Sequence, residues 1–324
     1  MRAAGEPPEG RVEVVAPAKL NLALLVGPVR PDGFHEIASL MVPVTLADRV
    51  VVERTPGAAL DVVCSVAPGA DNLAAKMVRE LEERLDRSFE VRVTIEKRVP
   101  AGGGLGGGSS DAAATLLALV KLFDLELSPR LRYDVALAVG SDVPFFLWPG
   151  ARLVMGRGQV LKDVVLPALR LVIAVPDIAL STAAVYAWRD EDADVTLKEF
   201  APRARLLSGR AQSAATVRDV AALVANDLEP SVVARKEEVG DLIARLRDAG
   251  AMAAAMTGSG AAVFGVFASE AKARKARVAV APARAWYVTD LQPVPAARRG
   301  GGDEGAAPDG ERDVWSPAAG RDRA

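Results

Sequence analysis

Six glycines fall within seven consecutive positions, 102–108, of this 324-residue chain. Alternating apolar and polar residues over 91–95 predict a strand before them, and apolar residues at helical spacing predict a buried helix after them. We place the start of that helix at Ser109 and Ser110, which are good capping residues, with Asp111 in its first turn. Glycines leave backbone N–H groups bare, and a helix N-terminus carries partial positive charge. The segment therefore predicts an anion site, suited above all to phosphate.

Three interpretations of this glycine loop compete. A flexible linker is disfavoured because the segment lies between a patterned strand and a buried helix. Gly102, Gly104 and Gly107 satisfy the spacing of a dinucleotide fold, but Asp124, at the distance of its acidic residue, falls on the continuing helix and not on a second strand. The P-loop of nucleotide triphosphatases fails because no lysine precedes the serine pair. A glycine-rich phosphate loop of another kind remains.

Composition limits the function classes. The formal net charge of −2 provides no basic field to attract nucleic acid or a membrane surface. The single cysteine, Cys64, excludes an internal disulfide and a multi-cysteine metal site, and its valine neighbours predict a core position. No signal peptide opens the chain and no apolar stretch is long enough to span a bilayer. We expect a cytoplasmic protein with neither a nucleic-acid nor a membrane partner.

Two segments carry polar residues in apolar surroundings. Lys19 and Asn21 alternate with leucines and so share one face of a predicted strand, which by itself would suit an exposed face of an antiparallel sheet. Asp142 follows a helix that ends at Gly140 and precedes a proline and two phenylalanines. A carboxylate with such neighbours is costly unless it is paired, although a simple turn residue is the alternative.

Other candidates also have a structural interpretation. His35, the only histidine, follows the Pro-Asp-Gly turn and Phe34, and a lone histidine there is commonly a structural hydrogen-bonding group; a single histidine also argues against a histidine-based metal site. Asn72 caps a predicted helix. Tyr186, on a helix that opens at Ser181, would serve equally as a core aromatic.

The glycine loop, with Pro100 before it and Ser-Ser and an alanine-rich helix after it, resembles the nucleotide loop of the GHMP kinases. P-A-K-L-N-L at 17–22 and G-S-G at 258–260 resemble two further motifs of that family, in the right order. R-P-D-G-F-H at 30–35, G-S-D-V-P-F-F at 140–146 and N-D-L-E-P at 226–230 are similar to one branch of it. That branch phosphorylates a cytidine diphosphate sugar alcohol in the non-mevalonate route to isoprenoid precursors.

The resemblance implies an α+β fold of two domains. It places an N-terminal ATP-binding domain, of a fold also found in a ribosomal protein, at 11–165 and a ferredoxin-like C-terminal domain at 166–293. We expect a disordered lead-in at 1–10 and a disordered tail at 294–324, where the composition supports no core. Residues 190–215 are charged and poor in large apolar groups, which predicts a helical or loop insertion, and the N-D-L-E-P segment is expected to be structural.

The resemblance also implies roles for individual residues. Asp142 would act as general base and Lys19 as its electrostatic partner. The substrate would contact Asn21, Phe34, His35, Thr182 and Tyr186, with Phe34 in place of the usual tyrosine. The residues implied for ATP are Asn72, Lys97, Pro100, Ala101, Gly102, Gly103, Gly104, Leu105, Gly106, Gly107, Gly108, Ser109, Ser110, Gly258, Ser259 and Gly260.

ATP and Mg²⁺ are the implied cofactors, and no acidic cluster is spaced for a metal cage, so Mg²⁺ is expected to be carried by ATP. The chain would act on small molecules as a monomer or homodimer. A homoserine or mevalonate kinase is an alternative, because it would share the glycine loop without needing the 30–35 segment or an aromatic at 186. A non-catalytic nucleic-acid-associated module is another, but it would need a basic face.

Overall fold

The computed structural model describes residues 10–67 and 69–290. The lead-in, apart from Gly10, and the tail predicted to be disordered lie outside the described residues. The strands are β1 (Arg11–Val29), β2 (His35–Arg54), β3 (Asp61–Cys64), β4 (Val91–Glu96), β5 (Ala151–Gly156), β6 (Val160–Val164), β7 (Arg170–Val175), β8 (Ala225–Asn226), β9 (Ala253–Met256), β10 (Val263–Val266) and β11 (Arg284–Thr289). The helices are α1 (Leu73–Leu85), α2 (Gly107–Leu122), α3 (Pro129–Val139), α4 (Thr182–Asp192), α5 (Leu197–Ser213), α6 (Val217–Ala221), α7 (Glu229–Val233), α8 (Glu237–Asp248) and α9 (Glu270–Ala279), with short 3₁₀ turns at Gly69–Asp71 and Pro144–Leu147.

The strands form two sheets. The first has the order β3-β4-β2-β1-β8, with β5 on β2 and β6 on β5. The second has the order β11-β7-β10-β9 with every neighbour antiparallel, and α8 and α9 connect its strands in the ferredoxin-like β-α-β-β-α-β sequence. The mixture of sheets and helices confirms the predicted α+β class. β6 and β7 belong to different sheets, but β8, which follows both in the chain, pairs with β1 of the first sheet. The sheets therefore do not divide the chain at one point, and the domain boundary near 165 stays a prediction.

β1 departs from regular alternation where the polar pair lies. Its register against β2 shifts between Pro17 and Lys19 and again between Asn21 and Ala23. Such irregularities bend a strand and redirect its side chains. Lys19 and Asn21 are 4% and 5% exposed, so the interpretation as an exposed sheet face is wrong.

The helix after the glycine loop begins earlier than predicted. α2 starts at Gly107, not at Ser109, and its N-cap is Gly106 with a φ of 70°. A Cβ atom on Gly106 would lie 3.0 Å from both Lys19 Cγ and Phe146 Cζ, so glycine is required there for conformation and for space. The serines therefore lie in the first turn and do not cap it. The buried alanine-rich face of α2 is as predicted.

The segment 190–215 is mainly helical, as predicted, and its helix has a buried face. Its main element, α5, lies on β1, where the fully buried Phe200 covers Gly27 so closely that a Cβ atom there would lie 2.8 Å from the ring. Smaller predictions are confirmed: Asn72 caps α1 and Cys64 is buried. Ser128 caps α3 in the same way as Asn72, with its side chain. Among the helices that the structure describes, none has the length and apolar character to cross a bilayer.

Candidate active site

Two cavities adjoin the glycine loop. The large cavity, of about 850 Å³, is lined by residues of β1, β2 and α4 and by loop residues that include Gly258 and Ser259. The small cavity, of about 360 Å³, is lined by the glycine loop and the starts of α1 and α2. Gly104 and Gly106 line both cavities, so the loop lies between them.

The glycine loop packs against a second loop at 257–260, which precedes β10. Gly104 has a φ of 72°, and a Cβ atom there would lie 2.6 Å from the Thr257 carbonyl oxygen. Next to it, the Ala262 N–H donates to the Gly103 carbonyl at 3.3 Å. Two segments far apart in the chain thus meet backbone to backbone, with no room for a side chain.

The start of α2 offers donors for an anion. The N–H groups of Gly107, Gly108 and Ser109 belong to the first turn, where helix geometry provides no intrahelical acceptor. These three residues line the small cavity. Ser110 is 1% exposed, and its hydroxyl has no hydrogen-bond partner among the described residues. The loop and the helix start together form the kind of site that binds phosphate.

Lys19 lies at the junction between the loop and the large cavity. Its Nζ donates to Asn21 Oδ1 at 2.6 Å and to the Gly104 carbonyl at 2.7 Å, and it lies 4.0 Å from Asp142 Oδ2. An ammonium has three donors, so one remains for an oxygen on the Asp142 side. Burial lowers the pKa of Lys19 from its ordinary value, and the charge of Asp142 opposes that shift.

Around Lys19, the Asn21 side chain is fixed by hydrogen bonds, whereas Asp142 is accessible. Asn21 is oriented by its Nδ2, which donates to Ser39 Oγ at 2.8 Å, and by its N–H, which donates to Thr257 Oγ1 at 2.8 Å. The Asp142 side chain is 43% exposed and faces the large cavity from the turn before Pro144. The structure therefore places a buried ammonium and an accessible carboxylate side by side, next to the glycine loop.

Aromatic side chains line another part of the large cavity, its aromatic end. The ring of Tyr186 lies 5.0 Å from the imidazole of His35, and Phe34, which is 49% exposed, also lines the cavity. His35 Nδ1 lies 3.0 Å from the Gly27 carbonyl, and Nε2 lies 3.1 Å from Asp190 Oδ2. Burial raises the pKa of Tyr186 to about 12, so its hydroxyl stays protonated. Tyr186 packs against the core and also lines the cavity, so its role as a substrate contact stays a prediction.

The 257–260 loop closes the large cavity from the second sheet. A Cβ atom on Gly258 would lie 3.0 Å from the Gly104 carbonyl and 3.1 Å from Lys19 Nζ, and Ser259 Oγ lies 2.9 Å from Thr182 Oγ1. Gly260 packs against the sulfur of Met256 and lines neither cavity. The N-D-L-E-P segment supports this loop, as expected, because Asn226 Nδ2 donates to the carbonyls of Met256 and Gly258.

Two predicted ATP contacts have other partners. Lys97 Nζ is paired with Asp48 at 2.5 Å and Asp111 at 2.7 Å, so its charge is taken by two carboxylates, although it lines the small cavity. Burial raises the pKa of Asp111 above its ordinary value, the charge of Lys97 opposes that shift, and Asp48 adds to it. The Asn72 side chain accepts from the Ala74 N–H and donates to the Ala67 carbonyl, which leaves it a capping role at the rim of the small cavity.

Sequence reasoning missed several residues here. Asp190, Ser141 and Arg157 line the large cavity, and Asp48 and Asp111 flank Lys97. Arg157 stands between two glycines in a tight turn and Asp111 directly follows the serine pair, which are the signals that could have identified them. Nothing local marks Asp190, which follows another charged residue on α4.

Comparisons with known proteins agree with this geometry. Residues 72–150 match the GHMP kinases N terminal domain and residues 210–284 match GHMP kinases C terminal. A 4-diphosphocytidyl-2-C-methyl-D-erythritol kinase of Anaeromyxobacter dehalogenans (strain 2CP-C) is 42% identical over 278 residues, 83% of this chain and 85% of that one. One of Citrifermentans bemidjiense is 34% identical over 290 residues, covering 88% and 99%.

Solved structures extend the likeness to three dimensions. A crystal structure of 4-(cytidine 5'-diphospho)-2C-methyl-D-erythritol kinase superposes with a TM-score of 0.72 at 36% identity, covering 87% of this chain and all of that one. A homoserine kinase of Cytophaga hutchinsonii superposes at 0.70 with 16% identity, covering 90% and 97%, and thus shares the fold. With the matched domains and the motifs at the loops, these likenesses show that the chain belongs to the GHMP kinase family, in its 4-diphosphocytidyl-2-C-methyl-D-erythritol kinase branch.

Proposed function

We propose that the protein transfers the γ-phosphoryl group of ATP to the 2-hydroxyl of 4-diphosphocytidyl-2-C-methyl-D-erythritol, giving the 2-phosphate and ADP in isoprenoid precursor synthesis by the non-mevalonate pathway. The observation that carries the proposal is the placing of Lys19 and Asp142 beside Gly104, in a cavity that is also lined by aromatic side chains. An acceptor alcohol at this pair would lie next to a phosphate held by the loop.

The glycine loop is the proposed ATP side. Its bare amides and the first-turn N–H groups of α2 would bind the phosphates, and the small cavity beside Asn72 would take the nucleoside. The described residues contain no group of three or more histidine, cysteine or acidic side chains arranged for a metal ion. We therefore assign Mg²⁺ to the ATP phosphates and water, where it would neutralise phosphate charge.

The acceptor side has two tasks. The substrate oxygen bonds to the γ-phosphorus while the bond to ADP breaks, and Asp142 accepts the hydroxyl proton, because its carboxylate is the accessible acceptor at this place. The free ammonium donor of Lys19 would stabilise negative charge on the oxygens between them. Most of the catalysis in such a transfer comes from position and charge.

The aromatic end is the proposed cytosine site. Phe34 and Tyr186 offer ring faces for stacking, and His35 with Asp190 offers a polar edge for hydrogen bonds to the base. A phenylalanine keeps the stacking that the usual tyrosine would provide but loses its hydroxyl. Mevalonate and homoserine have no base to fill this end, which favours the cytidine substrate over these alternatives.

An ADP-release assay with diphosphocytidyl-methylerythritol, mevalonate and homoserine tests the proposal. We expect release with the first alone, and a fall in kcat of about 10²–10⁴-fold in Asp142→Asn with ATP affinity retained. Asp134→Asn, which removes a carboxylate from a surface pair on α3, is the matched control and should keep its activity. Turnover of another alcohol, or undiminished turnover by Asp142→Asn, would overturn the proposal.

A further inference from the structure

The charged side chains that line the large cavity differ in whether they have a partner of opposite charge. Lys19 faces Asp142, and Asp190 faces His35 and Arg189. Arg157 also lines the cavity and is half-buried, but within the described part of the chain its guanidinium has no carboxylate partner; its contact is with the ring of Phe34, 5.3 Å from the centroid. A cation facing a cavity without an anion indicates that the anion comes with the ligand.

The turn that carries Arg157 is held in place. Gly156 and Gly158, on either side, have φ values of 74° and 116°, and the Arg157 N–H donates to Gln159 Oε1 at 2.6 Å. A Cβ atom on Gly158 would lie 3.1 Å from the Ser141 carbonyl oxygen, so the turn abuts the residue next to Asp142. Arg157 thus contacts Phe34 on a turn that abuts Ser141, the residue before Asp142.

We propose that Arg157 binds the diphosphate bridge of the substrate and makes the site selective for a nucleoside diphosphate over a free nucleoside, an inference that rests on the proposed function. A diphosphate joins the base to the acceptor alcohol, so it must lie between the rings that would stack on the base and the Lys19–Asp142 pair. There it would meet the carboxylates of Asp142 and Asp190, which repel it. A guanidinium offsets that repulsion and matches two phosphate oxygens at once.

Other features of the site agree with this assignment. Lys19 already donates to Asn21 and Gly104, so it has at most one donor left for a ligand. Phe34 supports the guanidinium through a cation–π contact, which a bound phosphate leaves in place because it uses the guanidinium edge.

Binding of three probes separates charge recognition from stacking. Calorimetric titration of cytidine, cytidine monophosphate and cytidine diphosphate is compared between the wild type, Arg157→Gln and Arg157→Lys. We expect Arg157→Gln to weaken cytidine diphosphate by about 10- to 100-fold and cytidine by less than about twofold, with Arg157→Lys between the wild type and Arg157→Gln. Lys162→Gln, which removes an exposed positive charge from the same hairpin, is the matched control and should bind all three as the wild type does.

Kinetics give a second readout. For Arg157→Gln the KM for the cytidine diphosphate alcohol should rise about 10- to 100-fold, while the KM for ATP stays within about twofold. Equal weakening of cytidine and cytidine diphosphate would mean that Arg157 only supports Phe34, and no weakening of either would also overturn the inference. If the wild type neither phosphorylates the cytidine diphosphate alcohol nor binds the probes, it is the proposed function that fails.

Discussion

Replacing Gly104 by alanine tests the contact that joins the two loops of the site. The new methyl group would lie 2.6 Å from the Thr257 carbonyl oxygen and 3.1 Å from the Gly260 nitrogen, both backbone atoms that cannot rotate away. The left-handed backbone, with a φ of 72°, costs an L-residue about 1–2 kcal/mol, and overpacking adds about 1–3 kcal/mol. We expect Gly104→Ala to lower the free energy of unfolding by about 2–5 kcal/mol.

Gly102→Ala is the matched control. Gly102 has nearly the same φ, 73°, but a Cβ atom there meets nothing within 4 Å. The control therefore carries the conformational cost of about 1–2 kcal/mol without the collision. Urea unfolding of both variants without nucleotide measures the difference, which we expect to be about 1–3 kcal/mol.

Activity should follow the same order. The Gly104 carbonyl accepts from Lys19, so a displaced loop also moves the ammonium away from Asp142. We expect kcat to fall more in Gly104→Ala than in Gly102→Ala. If the two variants lose equal stability, the close approach of the loops contributes nothing and the reasoning is refuted.

Three further predictions follow from the same geometry. Phe34→Ala should raise the KM for the cytidine substrate with the ATP parameters nearly unchanged, and Phe34→Tyr should stay near wild type; an unchanged KM in the alanine variant would contradict stacking. Burial raises the pKa of Asp111 in the folded protein above that of the unfolded group, near 4, so wild-type stability should fall as pH rises above about 4. Asp111→Asn removes that dependence, so its free energy of unfolding relative to wild type should rise from pH 5 to pH 8; a flat difference in denaturant titrations would contradict the shift. Asn226→Ala removes donors to the Met256 and Gly258 carbonyls and should lower the free energy of unfolding by about 1–3 kcal/mol, and Asn226→Asp, which keeps the shape without the donors, should lose about as much; wild-type urea midpoints would show that these bonds do not support the loop.

Local chemistry made much of the molecule predictable. Glycines that tolerate positive φ, a strand before them and a buried alanine-rich helix after them identify an anion site without any tertiary information. Side-chain capping by Asn72 and Ser128 likewise depends only on neighbours along the chain. The start of α2 was placed two residues late because Gly106 caps it through its backbone conformation, a route that leaves no side-chain signal.

The sequence by itself therefore determined the phosphate loop, the α+β class and which polar residues interrupt apolar segments. Only the tertiary structure decided that irregularities in β1 bury Lys19, that Asp142 comes within 4.0 Å of it, and that Arg157 faces the same cavity. The physical reason is the distance along the chain over which each effect acts. Backbone φ preferences and helix caps act between near neighbours in the sequence. Burial, ion pairing and close backbone contact depend on segments that meet only after the sheets have packed.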